Sequence, residues 1–385
     1  MNRTIIVSVV AAAMFIGCTA PKSERVEAVT SATTVSSENG QKPLEVGVYA
    51  DRGPSGIGAV EWFRLIDESP EMNLRLLDGK MIREGALQGL DLLVMPGGSS
   101  EKEYLSLQPE GVEKLKDYIR NGGNYLGTCA GCCLLMDGPK NRARMMPWNS
   151  KGAEGSLMYP NIALNPAGAA ALGMKTGNYK VRYHGGPFLW PTTNSIPESK
   201  LQVWGTFNAE ASFKGAVNRK KQMYGAVAIV GGEWGKGRIF VTSCHPEYFQ
   251  STLPFVSGAI KYLTGRTVTF PMRKRAPRAL SVGIYSRSIR SVECARTMVD
   301  FTHQDDMDVV LIDNDGIFMR RLDNIDVLVI PCDISKEKQL ERKVKQLIAN
   351  GVKVVGCGMA QGTMPVGSVE CEYCEAVQTV RKLFN

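Results

Sequence analysis

The chain has 385 residues, which is enough for two globular domains of ordinary size. Hydrophobic residues make up 44% of it and charged residues 22%, a composition that excludes a disordered, collagen-like or multi-span membrane protein. The formal net charge of +8 is spread along the chain. The basic run at 271–279 contains prolines, and no aromatic residue lies between its basic residues. We therefore interpret this run as a solvated linker and expect no nucleic-acid partner.

The N-terminal segment, residues 1–17, has the pattern of a secretion signal. Arg3 precedes an apolar run that is too short to cross a bilayer as a stable helix. The sequence Phe15-Ile16-Gly17-Cys18 resembles a bacterial lipobox, with phenylalanine in the place of the usual leucine. The resemblance implies cleavage before Cys18 and attachment of lipid to its sulfur and to its new amino group. An ordinary signal peptide is the alternative.

A polar segment follows the predicted lipidation site. Thr19 stands where an acidic residue would otherwise follow, which resembles lipoproteins sent to the outer membrane. Residues 18–43 are rich in Ser, Thr and Glu and have no hydrophobic periodicity, so they predict a flexible tether. We expect a lipid-anchored protein of the bacterial cell envelope, facing the periplasm, whose folded part begins near Leu44.

The rest of the chain contains an internal repeat. Val46-Gly47-Val48-Tyr49 recurs as Val282-Gly283-Ile284-Tyr285, and a second matching pair of strands begins at Asp91 and Asp326. In both stretches, apolar strands alternate with amphipathic helices, as in parallel sheets that are buried on both faces. The sequence therefore predicts two copies of one α/β unit. We place the larger copy at 44–270 and the smaller copy at 280–385.

One turn of the first copy carries a candidate nucleophile. The strand that starts at Asn124 leads into Gly127-Thr128-Cys129-Ala130-Gly131 and then into an apolar helical stretch. Small residues on both sides of a nucleophile are typical of a tight strand-to-helix elbow. The start of the helix also stabilises a thiolate through its free N–H groups and its dipole. A small buried core cysteine is the alternative role for Cys129.

A second turn carries a candidate base. Ser243-Cys244-His245-Pro246-Glu247 follows the predicted strand Arg238 to Thr242. Residues two apart in an extended segment project to the same face, so we expect Glu247 to bond the far nitrogen of His245. The near nitrogen would then face Cys129, which gives a thiol, a base and an orienting carboxylate. A structural hydrogen-bonded pair is the alternative.

These residues together resemble the class I glutamine amidotransferase-like superfamily. More narrowly, three motifs are similar to the family named for the N-terminal domain of eukaryotic biotin–protein ligases: Met95-Pro96-Gly97-Gly98, Tyr125-Leu126-Gly127-Thr128-Cys129-Ala130-Gly131 and Tyr183-His184-Gly185-Gly186-Pro187. The resemblance covers about residues 45–265. It implies a flavodoxin-like parallel sheet, with Cys129 as nucleophile, His245 as base and Glu247 as the residue that orients the base.

The resemblance also implies the surroundings of the nucleophile. The backbone N–H groups of Ala130 and of Gly97 or Gly98 would form the oxyanion hole. The substrate pocket would include four consecutive residues: Tyr183, His184, Gly185 and Gly186. We expect no cofactor and no metal, although Cys132, Cys133 and Cys244 raise a zinc hypothesis that their spacing does not favour.

Two departures limit the resemblance. Glutamine-using members usually carry a polar residue four positions after the nucleophile, where this chain has Cys133. The chain contains no synthetase domain to receive ammonia and no biotin-ligase catalytic domain.

The second copy has Gly358 in the place of Cys129 and lacks a His-Pro-Glu sequence, so we expect it to be a degenerate structural or docking unit. We also expect His303 to lie on a solvated helix face.

We therefore expect a thiol-dependent amidohydrolase or amidotransferase-like lipoprotein that forms a covalent thioester. Its substrate would be a small-molecule or peptide amide or acyl compound, and its membrane contact would be the lipid anchor. Two alternatives remain open. One is a non-catalytic envelope lipoprotein that retains the family pocket for binding, and the other is an assembly module formed by the two copies.

Overall fold

The computed structural model describes residues 41–54, 56–138, 140–153, 155, 157–208, 223–270, 280–285, 289–312, 325–334, 337–358 and 364–384. The predicted signal, the lipidation site Cys18, most of the tether and the linker at 271–279 lie outside these ranges. Within them, no helix is long and apolar enough to cross a membrane.

The strands and helices alternate along the chain. The strands are β1 (Leu44–Tyr49), β2 (Met72–Leu77), β3 (Leu92–Met95), β4 (Asn124–Thr128), β5 (Trp148–Ala153), β6 (Asn161–Leu164), β7 (Gly177–Lys180), β8 (Pro187–Pro191), β9 (Ser199–Asn208), β10 (Val227–Trp234), β11 (Gly237–Thr242), β12 (Leu280–Tyr285), β13 (Met307–Ile312), β14 (Val327–Ile330), β15 (Lys353–Cys357) and β16 (Val369–Cys371). The helices are α1 (Gly56–Asp67), α2 (Gly79–Arg83), α3 (Ser100–Arg120), α4 (Ala130–Leu135), α5 (Pro166–Leu172), α6 (Leu253–Thr264), α7 (Val292–Thr302), α8 (Lys338–Ala349) and α9 (Ala376–Lys382).

The first copy is built on a large central sheet. Its strands run in the order β2-β1-β3-β4-β11-β10-β9-β6-β7, and β5 and β8 pair beside β10. The first five strands of this order are parallel, and the strands beyond β11 extend the sheet in antiparallel fashion. The four residues of β3 are all buried, as a strand covered by helices on both faces requires. The predicted α/β, flavodoxin-like fold is confirmed.

The second sheet repeats the parallel half of the first. Its order β13-β12-β14-β15-β16 corresponds strand for strand to β2-β1-β3-β4-β11. One detail of the pairing also recurs. The Asp91 side chain accepts from the N–H of Glu45 at 2.8 Å, and the Asp326 side chain accepts from the N–H of Ser281 at 2.8 Å. The second, smaller α/β repeat predicted from the sequence is therefore present.

Helix α3 is longer than the amphipathic pattern predicts. The periodicity indicates a helix from Gly111, whereas the structure continues the helix back to Ser100 across a kink. At the kink, Gln108 has φ 61° and ψ 170°, and Pro109 follows it. Proline disfavours a helical conformation in the residue before it and supplies no N–H, so the helical pattern is interrupted there.

One hydrophobic cluster spans the two copies. A single cluster of buried side chains includes Phe63 of α1 and both Met298 and Phe301 of α7. At its edge, the ring of His303 pairs with the carboxylate of Asp67. The His303 side chain is exposed, as expected, and the packing of α7 against α1 brings an acidic side chain of the first copy to it.

Candidate active site

The predicted elbow lies between β4 and α4. Cys129 has φ 50° and ψ −98°, a conformation that is costly for a residue with a Cβ atom. Its N–H donates to the carbonyl oxygen of Thr242 at 2.8 Å, and its own carbonyl accepts from the N–H of Cys133 at 3.0 Å. Hydrogen bonds on both sides of the residue thus hold the strained turn in place.

The glycines beside the nucleophile are needed for close packing. A Cβ atom on Gly131 would overlap the carbonyl oxygen of Met95, and one on Gly127 would lie 2.8 Å from the backbone of Gly131. A methyl group at either position would push the elbow away from β3. The small residues of the motif therefore have a direct steric cause.

The structure brings the three predicted triad residues together. Nδ1 of His245 lies 2.8 Å from Oε1 of Glu247, and both the imidazole and Cβ of Cys129 lie next to Gly97. The three residues are 5%, 3% and 1% exposed for Cys129, His245 and Glu247 respectively. The thiol also points at the carbonyl oxygen of His184, 3.6 Å away. The site therefore contains a nearly dry thiol–imidazole–carboxylate chain.

The local backbone around Glu247 differs from the prediction. Glu247 lies in a short 3₁₀ turn, Pro246–Tyr248, and not in an extended segment. Proline fixes φ and is well tolerated at the first position of a helical turn, so Pro246 ends the extension that begins at β11. The turn, and not strand alternation, carries the carboxylate back to His245.

The charge state of His245 follows from its neighbours. Burial opposes a charge on the imidazole, but the Glu247 carboxylate and the hydrogen bonds to Cys129 and Glu247 outweigh it and raise the pKa of His245 to about 10. The surroundings of His245 therefore favour the protonated imidazole. In that state it can donate a proton and stabilise a neighbouring anion.

The other thiols near the elbow have pKa values that burial raises. Burial raises the pKa of Cys133 to about 12 and raises the pKa values of Cys132 and Cys244 well above the ordinary range. They remain neutral thiols, since thiolate is the nucleophilic and metal-binding form. In the described part of the chain, no three His, Cys, Asp or Glu side chains form a group that could hold a metal ion.

The predicted oxyanion donors lie beside the nucleophile to different degrees. Ala130 begins α4, and first-turn N–H groups have no acceptor within their own helix. A Cβ atom on Gly97 would overlap the ring of His245 and lie 3.2 Å from Cβ of Cys129. Gly98 forms an isolated antiparallel bridge with Pro54. Ala130 and Gly97 are thus the donors that the geometry places closest to the thiol.

The four predicted pocket residues separate into two groups. The ring of Tyr183 is fully buried and its hydroxyl donates to the carbonyl of Gly186 at 2.6 Å, so its side chain supports the loop from below. Gly186 itself packs against the backbone of Ser243. His184 is exposed, and Gly185 has φ 78° with open space where a Cβ would stand. Of the four, only His184 and Gly185 are therefore not buried, and the carbonyl oxygen of His184 lies near the Cys129 thiol.

One buried acid close to the site, Glu103, could not be predicted from the sequence pattern. Glu103 is fully buried in the first turn of α3, and neither carboxylate oxygen has a hydrogen-bond partner within the described ranges. Burial raises the pKa of Glu103 to about 8, against a smaller opposing effect from Arg142. It lies in a polar stretch of the sequence, which gives no sign of burial. Its neutral form is therefore the form that the fold accommodates.

Comparison with known sequences supports the family resemblance over part of the chain. Residues 63–134 match the family model described as "Biotin-protein ligase, N terminal". An uncharacterized protein of Chlamydia muridarum (strain MoPn / Nigg) is 32% identical over 89 residues, which are 22% of this chain and 34% of that protein. The chain thus spans about a third of the length of this curated relative.

Comparison with solved structures gives similar folds at low identity. PurLQS from Thermotoga maritima has a TM-score of 0.42 at 14% identity, over 58% of this chain and 99% of that one. A ThuA-like protein from Bacteroides uniformis ATCC 8492 has a TM-score of 0.44 at 10% identity, over 59% of this chain and 94% of that one.

The sheet order and the elbow define an amidotransferase-like α/β protein. The segment that matches the family model contains the Pro-Gly-Gly turn and Cys129. It ends well before His245 and Glu247.

Proposed function

We propose that the chain is a thiol-dependent amidohydrolase or amidotransferase-like enzyme that cleaves an amide or related acyl bond through a thioester on Cys129. One observation carries this proposal: His245 is hydrogen-bonded to Glu247 and lies beside the strained elbow that carries Cys129. A cysteine that only filled core space would need neither the strained backbone nor the buried ion pair.

The raised pKa of His245 determines how the reaction starts. A raised pKa makes the imidazole a better acceptor for the thiol proton of Cys129, so proton transfer gives a thiolate beside an imidazolium. The thiolate of Cys129 then attacks the substrate carbonyl carbon, a C–S bond forms, and the carbonyl π electrons move onto oxygen. The N–H groups of Ala130 and Gly97 stabilise that oxyanion.

Collapse of this intermediate completes acyl transfer. The oxyanion re-forms the carbonyl, the C–N bond breaks, and His245 donates its proton to the leaving nitrogen. The neutral imidazole next accepts a proton from water, which attacks the thioester and releases the acid and the Cys129 thiolate. Glu247 keeps its hydrogen bond to Nδ1 throughout and stabilises each imidazolium stage.

The neighbour four positions along the elbow bears on the substrate. Cys133 is a neutral, mostly buried thiol where glutamine-using members carry a polar side chain. It offers a weak donor to a carboxamide. We therefore propose a small-molecule or peptide amide other than free glutamine as the substrate.

Trapping of the thioester tests the proposal. The full chain is incubated with glutamine, peptide amides and simple acyl amides, quenched in acid and analysed by peptide-resolved mass spectrometry. We expect an acyl adduct on Cys129 that hydroxylamine removes, abolished in Cys129→Ala and retained in the matched control Cys132→Ala. Turnover that persists in Cys129→Ala would contradict the role of Cys129. No adduct and no turnover in the wild type, with ligand binding that survives Cys129→Ala, would favour the alternative, a non-catalytic binding protein that retains the pocket.

We further propose that the protein is held at the bacterial cell envelope by lipid on Cys18. The support is the pattern of the first residues and the polar segment that follows them. Wild-type protein expressed in a bacterial host should partition with membranes, and Cys18→Ser should leave it soluble or unprocessed. Unchanged membrane association of Cys18→Ser would contradict the anchor.

A further inference from the structure

A cavity of about 330 Å³ lies between the two copies, behind the carboxylate of Glu247. We call it the inter-copy cavity. The first copy contributes one face of α1 and the turn after His245, and the second copy contributes the end of α7 and strand β13. Its lining includes Glu61, Arg64, Glu68 and Glu247 of the first copy and Val309 and Leu311 of the second.

Carboxylates outnumber guanidinium groups among the described residues that line the cavity. Four carboxylates line it, those of Glu61, Glu68, Glu247 and Asp305, against one guanidinium, that of Arg64. Arg64 is already engaged, since it bonds Glu61 at 2.9 Å and Glu68 at 3.0 Å. His245 lies on the far side of Glu247 and bonds only its Oε1 atom.

The second oxygen of Glu247 provides an independent sign of a missing ligand. Oε2 is buried and has no hydrogen-bond partner among the described residues, and the residue is 1% exposed. A buried carboxylate oxygen without a donor is costly, and such groups in native proteins are usually satisfied by a ligand or water. Burial raises the pKa of Glu61 against the opposing effect of Arg64, and the charge of Glu247 adds a smaller increase.

The shape of the lining selects the kind of cation. Val309 and Leu311 of β13 form an apolar wall opposite the acids, and Leu253 extends it. The acids do not converge as metal ligands, because the described residues contain no such group of three. An apolar wall beside an acidic end suits a molecule with an ammonium head and a short hydrocarbon chain.

We propose that the inter-copy cavity binds a small organic cation of the primary alkylammonium type. Its N–H groups donate to Oε2 of Glu247 and to Glu61, and its chain lies against Val309 and Leu311. This site does not use the thiol of Cys129 and stands whether or not Cys129 is catalytic, although Glu247 belongs to both sites. Because Glu247 also holds His245, an occupied cavity links the contact between the copies to the imidazole.

Calorimetric titration of the full chain with n-butylammonium chloride tests the site. We expect saturable binding with one site per chain and no comparable binding of n-butanol, which has the same chain without the charge. Glu61→Gln should weaken binding at least fivefold, and Leu311→Lys, which supplies an ammonium from within, should abolish it. The exposed control Glu84→Gln should bind as wild type does, and Cys129→Ala should bind equally well.

The same titrations contain the contradicting results. Equal binding of n-butylammonium and n-butanol, or unchanged affinity in both Glu61→Gln and Leu311→Lys, would mean that the cavity holds only water. Far-UV circular dichroism confirms that each variant is folded before titration. Binding in Cys129→Ala separates this proposal from the thioester, since loss of turnover leaves the ammonium site intact.

Discussion

Cys129 and Gly358 occupy the same position in the two copies, directly after β4 and β15. Both have positive φ, 50° for Cys129 and 63° for Gly358. In the second copy, the ring of Tyr373 fills the space that a side chain on Gly358 would need. Both copies thus have the backbone of the elbow, but only the first copy has space there for a nucleophilic side chain.

Glu103 gives a prediction at this scale. Its pKa of about 8 lies above the ordinary 4.5, so the folded state holds a proton that the unfolded state releases between these values. The stability of the wild type therefore falls as pH rises from about 4.5 to about 8 through this group. Glu103→Gln has no titrating proton at this position. Its free energy of unfolding should therefore rise relative to that of the wild type by roughly 1–3 kcal/mol over that pH range.

Urea unfolding of the wild type and Glu103→Gln at about pH 5 and pH 8 measures the difference. The exposed control Glu110→Gln should show no such pH-dependent gain. A gain for Glu103→Gln that is the same at both pH values would mean that the carboxyl is not held neutral by the fold.

The residue-scale chemistry was only partly open to prediction. Cys129, His245 and Glu247 stand in motifs whose spacing reports their chemistry directly, so the sequence sufficed to name them. Glu103 stands in a polar stretch, and its burial arises from packing beneath Gly53, which is distant in sequence. Long-range packing of that kind leaves no local pattern.

At the scale of single elements, the elbow depends on the close approach of α4 to β3. Gly131→Ala should destabilise the protein by about 1–3 kcal/mol, because the new methyl group overlaps the carbonyl of Met95. Gly155→Ala is the matched control, since nothing lies within 4 Å of a Cβ at Gly155. Thermal unfolding of the two variants gives the comparison, and equal melting temperatures would contradict the steric account of the motif.

A strand or helix could be predicted from the sequence where a single physical cause determines it. The continuous apolar runs of β3 and β14 identify buried parallel strands without ambiguity. The start of α3 was missed because Pro109 breaks the helical pattern, although the chain resumes a helix on the other side of the kink. The turn at Pro246–Tyr248 was missed because a proline after a strand is equally compatible with continued extension.

At the scale of the whole molecule, the two copies should unfold together because one hydrophobic cluster spans both. Phe63 and Ile66 of the first copy pack in the same cluster as Met298 and Phe301 of the second. The sequence could predict the two copies from their repeat. It could not predict this contact, since the faces of α1 and α7 that meet are ordinary apolar helix faces.

The positions of the tryptophans allow a test of this coupling. All five lie in the first copy, so tryptophan fluorescence reports on that copy alone, whereas far-UV circular dichroism reports on both. We expect the two signals to give coincident thermal transitions. A separate, earlier transition in circular dichroism alone would show that the second copy unfolds independently.

The most direct test of the central claim, an activated Cys129 held by His245 and Glu247, is its rate of alkylation by iodoacetamide near neutral pH. Cys374 is the internal standard, since it is the most exposed of the described thiols. Peptide-resolved mass spectrometry should show Cys129 modified faster than Cys374 despite its burial, and His245→Ala should slow it by about tenfold or more. Labelling of Cys129 that is no faster than that of Cys374, and unchanged in His245→Ala, would contradict the account.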